Sequence, residues 1–463
     1  MRRGSRTVEG EGPTMTMVEV PGEFTVPRRS WGDDEVFDRE MQQIFRHCWQ
    51  YVAHESEIPE PGDYVLRKMG RDQVIVVRDE SGQVRVHLNT CRHRGVPLCR
   101  ADSGNASHFR CSYHGWTYAN TGELRGVTYQ ADVYGKGGLD KKKLPLFSPA
   151  QVDSELGLIF ATWDPEAPSL RDYLGDILWY LQLIFGKHPN GMEVVGTPVR
   201  NIVKANWKTE GENLSGDGYH TTITHSSAFD LGLFATQKDL VKLADDVAPK
   251  FTGRTVDAGN GHTMRIQRLP LRLQGNHYFG YPKEMWAGFD RMLSPEQQQA
   301  MSCLSVGHGS VFPNMSFIEN FKTNVDGPDL HARYARITVR YPIDATTSEQ
   351  LWFFLAPKGA DPEWARLSRL AYLRTNGPSG LFEIDDTENF VGISEASVGD
   401  VSRTLPVIIE GGKHHPEAPP ELGWPGNVVD GDKTERTIRA FHRRWSELMD
   451  LPAGDAAGTG AAR

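Results

Sequence analysis

Short apolar runs separated by turn residues fill the segment between residues 50 and 165. The stretch DYVLRKMGRDQVIVVRDESGQVRVHLNT contains three such runs, divided by MGRD and DESG, and LGLIFATWDPEAP adds a further run that ends at a proline. Runs of this length with turn signals at this spacing predict strands joined by tight connections. The pattern therefore predicts a compact, mostly antiparallel β unit.

Longer strands and helical periods alternate from about residue 166 onward. Ser169 and Asp172 lie at capping-box spacing ahead of DILWYLQLIFG, which predicts an amphipathic helix there. The other segments predict two strands, HARYARITVRYPI and QLWFFLAP, and two helices, DPEWARLSRLAYLRTNG and DKTERTIRAFHRRWSELMD. The last helix is predicted to have Asp432 and Glu435 at its start. Strands followed by segregated helices predict the α+β class with an antiparallel sheet.

Charge and hydropathy exclude two classes of partner. The 463 residues include 51 Lys and Arg against 60 Asp and Glu, which gives a formal net charge of -9. Nucleic-acid-binding proteins normally carry a basic excess, so we expect no nucleic-acid partner. No segment approaches the roughly 20 apolar residues that a membrane-spanning helix needs, so we also expect no membrane span.

Cysteine usage and the chain ends bear on the compartment. Five scattered cysteines are too few for a disulfide framework, and the N-terminus has no apolar signal segment, so we predict a cytoplasmic protein. Residues 1–25 are predicted to be a flexible tail, in which Met15 or Met17 is a candidate start. Residues 451–463, rich in small side chains, are predicted to be a second flexible tail.

Two short pairs of cysteine and histidine carry the first candidate chemistry. CRHRG contains Cys91 and His93, and CSYHG contains Cys111 and His114. Zinc fingers place both cysteines in one pair and both histidines in the other, which makes structural zinc the weaker interpretation. One cysteine and one histidine in each pair match a Rieske [2Fe-2S] cluster, in which two thiolates bind one iron and two imidazoles bind the other.

A second pair of histidines ends the stretch NWKTEGENLSGDGYHTTITH. His220 and His225 are five residues apart, which on an unbroken helix separates them by about 140°. Both can bind one metal only if the helix ends or distorts between them, and the β-branched run TTIT favours such a break. Asp217 precedes His220 by three residues, so we expect the two to share a helix face, where a carboxylate can fix the imidazole tautomer.

A carboxylate would complete this second site. Two histidines and one carboxylate form the facial triad of non-haem Fe(II) oxygenases, which leaves positions open for dioxygen. The segment LFEIDDTENF offers four candidates, Glu383, Asp385, Asp386 and Glu388. Distance along the sequence does not choose among them.

These motifs together resemble those of the bacterial aromatic-ring-hydroxylating dioxygenases. CRHRG followed by CSYHGWTY resembles the Rieske segment of their large, α-type subunits, and ENLSGDGYHTTITH resembles their E-N-x3-D-x-Y-H-x4-H segment. Respiratory Rieske proteins carry two additional cysteines, at positions occupied here by Val96 and Tyr113. The resemblance covers most of the chain.

The resemblance implies a role for each candidate residue. The cluster ligands would be Cys91, His93, Cys111 and His114. The ligands of a mononuclear iron would be His220, His225 and Asp386, with Asn213 close to the metal. Asp217 would connect His220 to the partner subunit's His114.

The resemblance also implies an architecture and two cofactors. A Rieske-type antiparallel β domain would span residues 45–165. A catalytic domain, with an antiparallel sheet flanked by helices, would span residues 166–450 together with 26–44. Each subunit would hold one Rieske [2Fe-2S] cluster and one mononuclear Fe(II).

The implied activity is that of a terminal oxygenase. It would insert both atoms of O2 into an aromatic ring to give a cis-dihydrodiol, with a polycyclic aromatic hydrocarbon as the favoured substrate. Three alternatives stay open: a dioxygenase for phthalate or another aromatic carboxylate, a Rieske monooxygenase or demethylase, and a Rieske electron carrier with an accessory domain. The carrier alternative requires His220, His225 and Asp386 to be incidental.

Several partners are implied as well. No G-x-G-x-x-G motif follows a strand, so we expect a separate reductase to oxidise NAD(P)H, with or without a ferredoxin. By resemblance, a small β subunit would complete an α3β3 assembly. A head-to-tail ring of α subunits would pair the cluster of one subunit with the iron of the next.

Residues beside the iron motifs predict features of the substrate pocket. Leu214, Gly218 and Phe382 are expected to leave a roomy apolar space for fused rings. An aromatic carboxylate would need a polar donor, for which His308 is a candidate.

Overall fold

The computed structural model describes residues 18–20, 23–136, 138–227, 253–268, 278–323 and 331–450. The first elements are β1 Val18–Val20, β2 Glu23–Pro27 and α1 Asp34–Gln43. β2 pairs with β1 and with a strand late in the chain, and Val26 is fully buried. The prediction of a flexible tail is therefore wrong for residues 18–20 and 23–25. The rest of both predicted tails, including Met15 and Met17, lies outside the described residues.

The segment between residues 50 and 162 forms three small antiparallel sheets. Its elements are β3 Gln50–His54, β4 Asp63–Met69, β5 Asp72–Arg78, β6 Val84–Leu88, β7 Ser103–Asn105, β8 His108–Arg110, β9 Thr117–Ala119, β10 Leu124–Gly126, α2 Gln130–Tyr134, β11 Gln151–Glu155 and β12 Leu158–Thr162. The sheet orders are β6-β5-β4-β7, β10-β9-β8 and β11-β12-β3. The predicted hairpins β4–β5 and β5–β6 are confirmed, with Gly70 and Gly82 at positive φ in their turns.

The rest of the chain is built on a large antiparallel sheet. Its elements are α3 Leu170–Leu174, α4 Ile177–Phe185, β13 Met192–Val194, β14 Val199–Val203, α5 Trp207–Leu214, α6 Thr221–Thr224, β15 Gly253–Asp257, β16 Thr263–Arg268, α7 Lys283–Met292, α8 Pro295–Cys303, β17 Leu304–Val311, β18 Met315–Thr323, β19 His331–Asp344, β20 Thr347–Pro357, α9 Pro362–Arg374, α10 Leu381–Val398, β21 Pro406–Ile408, β22 Asn427–Asp430 and α11 Arg436–Met449. The strand order is β13-β20-β19-β18-β17-β16-β15-β22, and β14 also pairs with β20. The predicted α+β class is confirmed.

The central strands of this sheet have one apolar face and one polar face. Because side chains alternate along a strand, Ile337 and Val339 of β19 point into the main hydrophobic core, which also contains Ile184 of α4. Arg336 and Arg340 point to the other side, where they pair with acids of α10 and α5. The polar face therefore supports the two helices that flank the candidate active site.

Two predicted helix starts differ from the structure. Ser169 caps the short helix α3, accepting the Asp172 N–H at 3.2 Å, and Gly175 at φ +50° separates α3 from α4. α11 begins at Arg436, directly after Glu435 as predicted, while Asp432 lies before the helix and binds Arg265 at 2.9 Å. No helix within the described ranges is both long and apolar enough to cross a membrane.

Candidate active site

The two Cys-His pairs lie in two loops of the same local design. In each loop a glycine N–H donates to the cysteine carbonyl, Gly95 to Cys91 at 2.9 Å and Gly115 to Cys111 at 3.0 Å. Both glycines adopt positive φ, +75° and +71°, a conformation that L side chains rarely adopt. A Cβ at Gly115 would also lie 2.3 Å from Thr128 Oγ1. Each loop thus folds its cysteine and histidine towards the other loop.

The four predicted cluster ligands meet between these loops. The His93 and His114 rings are 4.5 Å apart, and their Nδ1 atoms are buried with no hydrogen-bond partner among the described residues. Cys91 and Cys111 are also buried, and burial raises the pKa of the Cys91 thiol, with Cys111 contributing in the same direction. Two thiols and two unpartnered imidazole nitrogens on facing loops fit a Rieske cluster.

Two aromatic residues near the cluster ligands were not predicted to have a role. Trp116 stacks on His93 at 4.9 Å with the two rings nearly parallel. The Tyr118 hydroxyl accepts the Arg92 N–H at 3.1 Å and lies 3.6 Å from Cys91 Sγ. Both residues lie in the quoted CSYHGWTY motif, but the sequence does not indicate which way their side chains point.

A short helix separates the two histidines of the second site. α6 contains only the four residues between them, so that His220 immediately precedes the helix and His225 immediately follows it. His225 has φ -99° and ψ 25°, and the helix does not continue through it. The helix therefore ends before His225, as two ligands at this spacing require, and the rings lie 5.2 Å apart. The β-branched run TTIT does not itself break the helix, because all four of its residues are helical.

Asp217 pairs with His220 as expected, but for a different reason. Asp217 lies in a turn after α5, where Gly216 adopts φ +134°. Its Oδ1 accepts the N–H groups of Tyr219 at 2.8 Å and His220 at 3.3 Å, and its Oδ2 lies 3.1 Å from His220 Nδ1. The predicted shared helix face is wrong because a side-chain-closed turn, not a helix, brings the two residues together.

Asp386 is the acid that faces both histidines. Its Oδ1 lies 3.5 Å from the Nε2 atom of His220 and 3.5 Å from that of His225. One ligand atom from each of these three residues lies within 4.8 Å of the other two. Asn213 Nδ2 is 3.4 Å from His220 Nε2. The structure thus brings together the predicted triad and its neighbour Asn213.

The other candidate acids have different places. Asp385 Oδ2 lies 3.4 Å from His225 Nδ1, on the side of the ring away from Asp386. Glu383 is buried and pairs with Arg336, and Glu388 is exposed on α10. Each imidazole therefore has a carboxylate near Nδ1. Asp385 is hydrogen-bonded to His225 Nδ1, whereas Asp217 approaches His220 Nδ1 at ion-pair distance without hydrogen-bond geometry. A carboxylate on this side of the ring favours a proton at Nδ1 and directs Nε2 towards a metal.

The electrostatics of the triad favour a bound cation. Burial raises the pKa of Asp386 to about 8, against the lowering effect of His220. Burial lowers the pKa of His225 to about 4, and His220 adds to this lowering. The pKa of His220 moves the other way, because burial lowers it but Asp217 and Asp386 outweigh burial and raise it. A divalent cation between Asp386 and the two Nε2 atoms would give the buried carboxylate a full counter-charge without a proton on either imidazole. The residues present therefore fit a mononuclear iron.

Two of the predictions about the substrate pocket are wrong. Arg265 donates to His308 Nε2 at 3.0 Å, and His308 Nδ1 donates to the Leu214 carbonyl at 3.2 Å, so His308 is not free to bind a substrate carboxylate. A Cβ at Gly218 would lie 2.5 Å from Arg265 Nε. The missing side chain at Gly218 therefore makes room for Arg265 and does not open a pocket. Phe382 lies 4.6 Å from the His225 ring and remains a candidate pocket residue.

Comparison with known proteins gives the family. The description "Rieske [2Fe-2S] domain" matches residues 48–140, and "Ring hydroxylating alpha subunit (catalytic domain)" matches residues 170–451. The chain belongs to the ring-hydroxylating oxygenase α-subunit family. This α subunit is therefore an oxidoreductase of a family that carries both a Rieske cluster and a mononuclear iron, which confirms the predicted family, reaction class and cofactors.

Relatives of this α subunit span nearly its whole length. The large oxygenase component of the naphthalene 1,2-dioxygenase system of Pseudomonas aeruginosa is 36% identical over 91% of this chain and 92% of the relative. The α subunit of an N,N-dimethyl phenylurea N-demethylase of Sphingobium sp. (strain YBL2) is 33% identical over 92% and 91%. Such relatives imply a multisubunit oxygenase with separate electron-transfer partners.

A solved structure matches the fold closely. The crystal structure of naphthalene 1,2-dioxygenase from Rhodococcus sp., bound to indole, has a TM-score of 0.86 and 39% identity, and the match covers 92% of this chain and 95% of that one. A quaternary ammonium Rieske monooxygenase has a TM-score of 0.63 at 19% identity, a likeness of fold alone.

Proposed function

We propose that this chain is the large subunit of a terminal dioxygenase that converts a polycyclic aromatic hydrocarbon to a cis-dihydrodiol. The observation that carries the proposal is the buried cluster of His220, His225 and Asp386 in a chain that also has the paired Cys-His loops. The likeness to naphthalene dioxygenases at 36% and 39% identity supports a fused-ring substrate.

The proposed ligands follow from the geometry of the two sites. The cluster is held by Cys91, His93, Cys111 and His114. The mononuclear iron is held by His220, His225 and Asp386, and when bound it supplies the open coordination positions at which dioxygen is activated. Asp217 and Asp385 keep their imidazoles oriented by facing Nδ1 at 3.1 Å and 3.4 Å. Asn213 lies beside the same centre.

Asp217 has a second proposed role between subunits. Its carboxylate is about a fifth exposed, and its neighbour Tyr219 is largely exposed, so a second protein can approach the His220 side of the site. Within the proposed head-to-tail ring, Asp217 connects His220 to the partner subunit's His114. A small β subunit completes α3β3, and a ferredoxin, a reductase or both deliver electrons from NAD(P)H.

Product analysis with labelled dioxygen tests the reaction and the substrate together. The purified oxygenase is supplied with donor proteins, NADH, labelled O2 and naphthalene, phenanthrene, pyrene or phthalate in turn. We expect a vicinal diol that carries two labelled atoms from at least one fused-ring hydrocarbon. A matched sample of His225→Ala, with its cluster spectrum intact, should form none.

Other products would replace the proposal with a specific alternative. Turnover of phthalate alone would indicate an aromatic-carboxylate dioxygenase. Single-atom incorporation would indicate a monooxygenase, and removal of a methyl group from a dimethyl phenylurea would indicate the demethylase activity named for the Sphingobium relative. An intact cluster with no product from any substrate, and no effect of His225→Ala on iron content, would favour an electron carrier.

Asp217→Ala tests the proposed connection between the two centres. We expect both metals to remain bound and turnover to fall on the order of 100-fold, because the proposed path for the electron is lost in addition to an orienting carboxylate. The matched control is Asp385→Ala, which removes the equivalent carboxylate behind His225. After chemical reduction, the cluster of Asp217→Ala should stay reduced when O2 and substrate are added, while that of Asp385→Ala should reoxidise. Equal reoxidation in the two variants would show that Asp217 does not connect the two metal centres.

A further inference from the structure

Two arginines on one strand face the helices of the candidate iron site. Arg336 and Arg340 belong to β19, and because they are four residues apart their side chains share the polar face of the large sheet. Both are fully buried. Four residues of strand separate their Cα atoms by about 13 Å.

Each arginine pairs with a glutamate on a different helix. Arg340 Nη1 donates to Glu210 of α5, and the same nitrogen reaches Ser316 of β18, whose hydroxyl lies 3.3 Å from that glutamate. Arg336 Nη1 donates to Glu383 of α10 and to the Asn376 carbonyl, the latter at 2.9 Å. The two helices are therefore fixed to the same strand through buried charges.

Each glutamate lies three residues before a residue of the iron site. Glu210 precedes Asn213 on α5, and Glu383 precedes Asp386 on α10. Residues three apart lie on neighbouring positions of one helix surface. The position of each glutamate therefore fixes the position of the iron-site side chain one turn later, Asn213 or Asp386. The spacing of the two arginines thus sets the distance between the two helices at the level of the iron site.

The two ion pairs are linked electrostatically through Arg336. Burial lowers the pKa of Arg336, but Glu383 and then Glu210 outweigh it, so the pKa rises and both acids act on the same guanidinium. The Nε and Nη2 atoms of Arg336 and the Oε1 atom of Glu210 are buried without a hydrogen-bond partner among the described residues, so local pairing does not use all of their capacity. Loss of Arg336 therefore also removes a favourable charge near Glu210.

We propose that Arg336 and Arg340 are positioning residues of the mononuclear iron site, which hold α5 and α10 in register through Glu210 and Glu383. The proposal rests on the proposed ligands His220, His225 and Asp386. It assigns the arginines no contact with substrate or metal. Their role is to keep Asp386 and Asn213 aligned with the two imidazoles.

The same strand offers a matched control on its opposite face. Arg333 is also fully buried, and it pairs with Glu319 at 3.2 Å, which in turn pairs with Lys187. Lys187 follows α4 and donates to the carbonyls of its last turn, so this network joins α4, β18 and β19 within the core and involves no residue of the iron site. Arg333→Met therefore removes a comparable buried charge without changing α5 or α10.

The test compares Arg336→Met with Arg333→Met in the holoenzyme. Both variants are expected to lower the thermal midpoint and to keep the cluster spectrum. In Arg336→Met alone, we expect an altered EPR spectrum of the mononuclear Fe(II) treated with nitric oxide, and a larger share of consumed dioxygen recovered as hydrogen peroxide. Product formation should fall on the order of 10- to 100-fold, as a displacement of about 1 Å can cause.

Identical EPR spectra and peroxide yields in the two variants would overturn the proposal. If Arg336→Met does not fold, Glu383→Gln and Glu210→Gln take its place against Glu319→Gln, and the same comparison decides. Failure of the ligand assignment is distinguished separately, because His225→Ala would then keep its mononuclear iron. In that case the iron centre lies elsewhere, whatever the arginine variants do.

Discussion

Each imidazole of the candidate iron site lies between two carboxylates. His220 has Asp217 at Nδ1 and Asp386 at Nε2, and His225 has Asp385 at Nδ1 and the same Asp386 at Nε2. Outer carboxylates of this kind fix the tautomer and raise the basicity of a metal-binding imidazole. The two histidines share the inner carboxylate, but their pKa values shift in opposite directions. Burial lowers the pKa of His220 but Asp217 outweighs it, so the pKa rises, whereas burial lowers the pKa of His225 to about 4. They differ in access, because His220 is more exposed than His225.

Tyr118 offers a test at the cluster. Its hydroxyl accepts the Arg92 N–H, which leaves its own proton free to point at Cys91 Sγ, 3.6 Å away. Hydrogen bonds to cluster sulfurs raise the reduction potential. Tyr118→Phe should therefore lower the midpoint, on the order of 50 mV if the bond differs by about 1 kcal/mol between redox states.

An EPR-monitored redox titration measures this shift. Tyr134→Phe is a suitable control, because Tyr134 contacts the ring of Trp116 and no hydrogen bond joins its hydroxyl to the cluster ligands among the described residues. A midpoint of Tyr118→Phe equal to that of the wild type would show that the hydroxyl does not act on the cluster.

At the scale of elements, Glu40 joins three helices. It lies on α1 and is fully buried, and it accepts hydrogen bonds from Trp207 and Trp445 at 2.8 and 2.7 Å. Lys208 of α5 donates to the same carboxylate at 2.5 Å. Because α5 also carries Asn213, this contact connects α1 and α11 to the iron site.

Glu40→Gln tests how much this junction contributes to the stability of the fold. The substitution leaves the Lys208 charge buried without a counter-charge, and loss of one partner of such a pair costs about 3–5 kcal/mol. Thermal unfolding should show a clear drop in the midpoint, and adding Lys208→Met should recover part of it. The control is Asp38→Asn on the same helix, which breaks an exposed pair with Arg71 and should cost at most about 1 kcal/mol. Equal losses in Glu40→Gln and Asp38→Asn would contradict the account.

At the scale of the whole molecule, the sequence predicts features that depend on neighbouring residues better than features that depend on how distant segments pack. The hairpins of β4, β5 and β6 follow from alternating apolar runs and glycine turns, which act within a few residues. The break at Gly175 and the turn at Asp217 depend on backbone conformations that the apolar pattern does not encode. The meeting of Asp386 with His220 depends on how α10 packs beside α5, so spacing alone left four acids open.

The polar face of the large sheet is a second long-range feature. Arg336 and Arg340 alternate with apolar residues in HARYARITVRYPI, a pattern that on its own indicates a strand with one solvent-exposed face. In the structure that face is covered by α5 and α10, and both arginines are buried in ion pairs. The sequence predicts the alternation of polar and apolar residues but not the helices that cover the polar face.

The iron content of the purified chain tests the central claim most directly, because the claim is that one chain holds a Rieske cluster and a separate iron at His220, His225 and Asp386. We predict about three irons per chain in the wild type, two from the cluster and one from the mononuclear site. His225→Ala should lose about one of them and keep the optical spectrum of the cluster. Two irons in the wild type, with no loss in His225→Ala, would contradict the account.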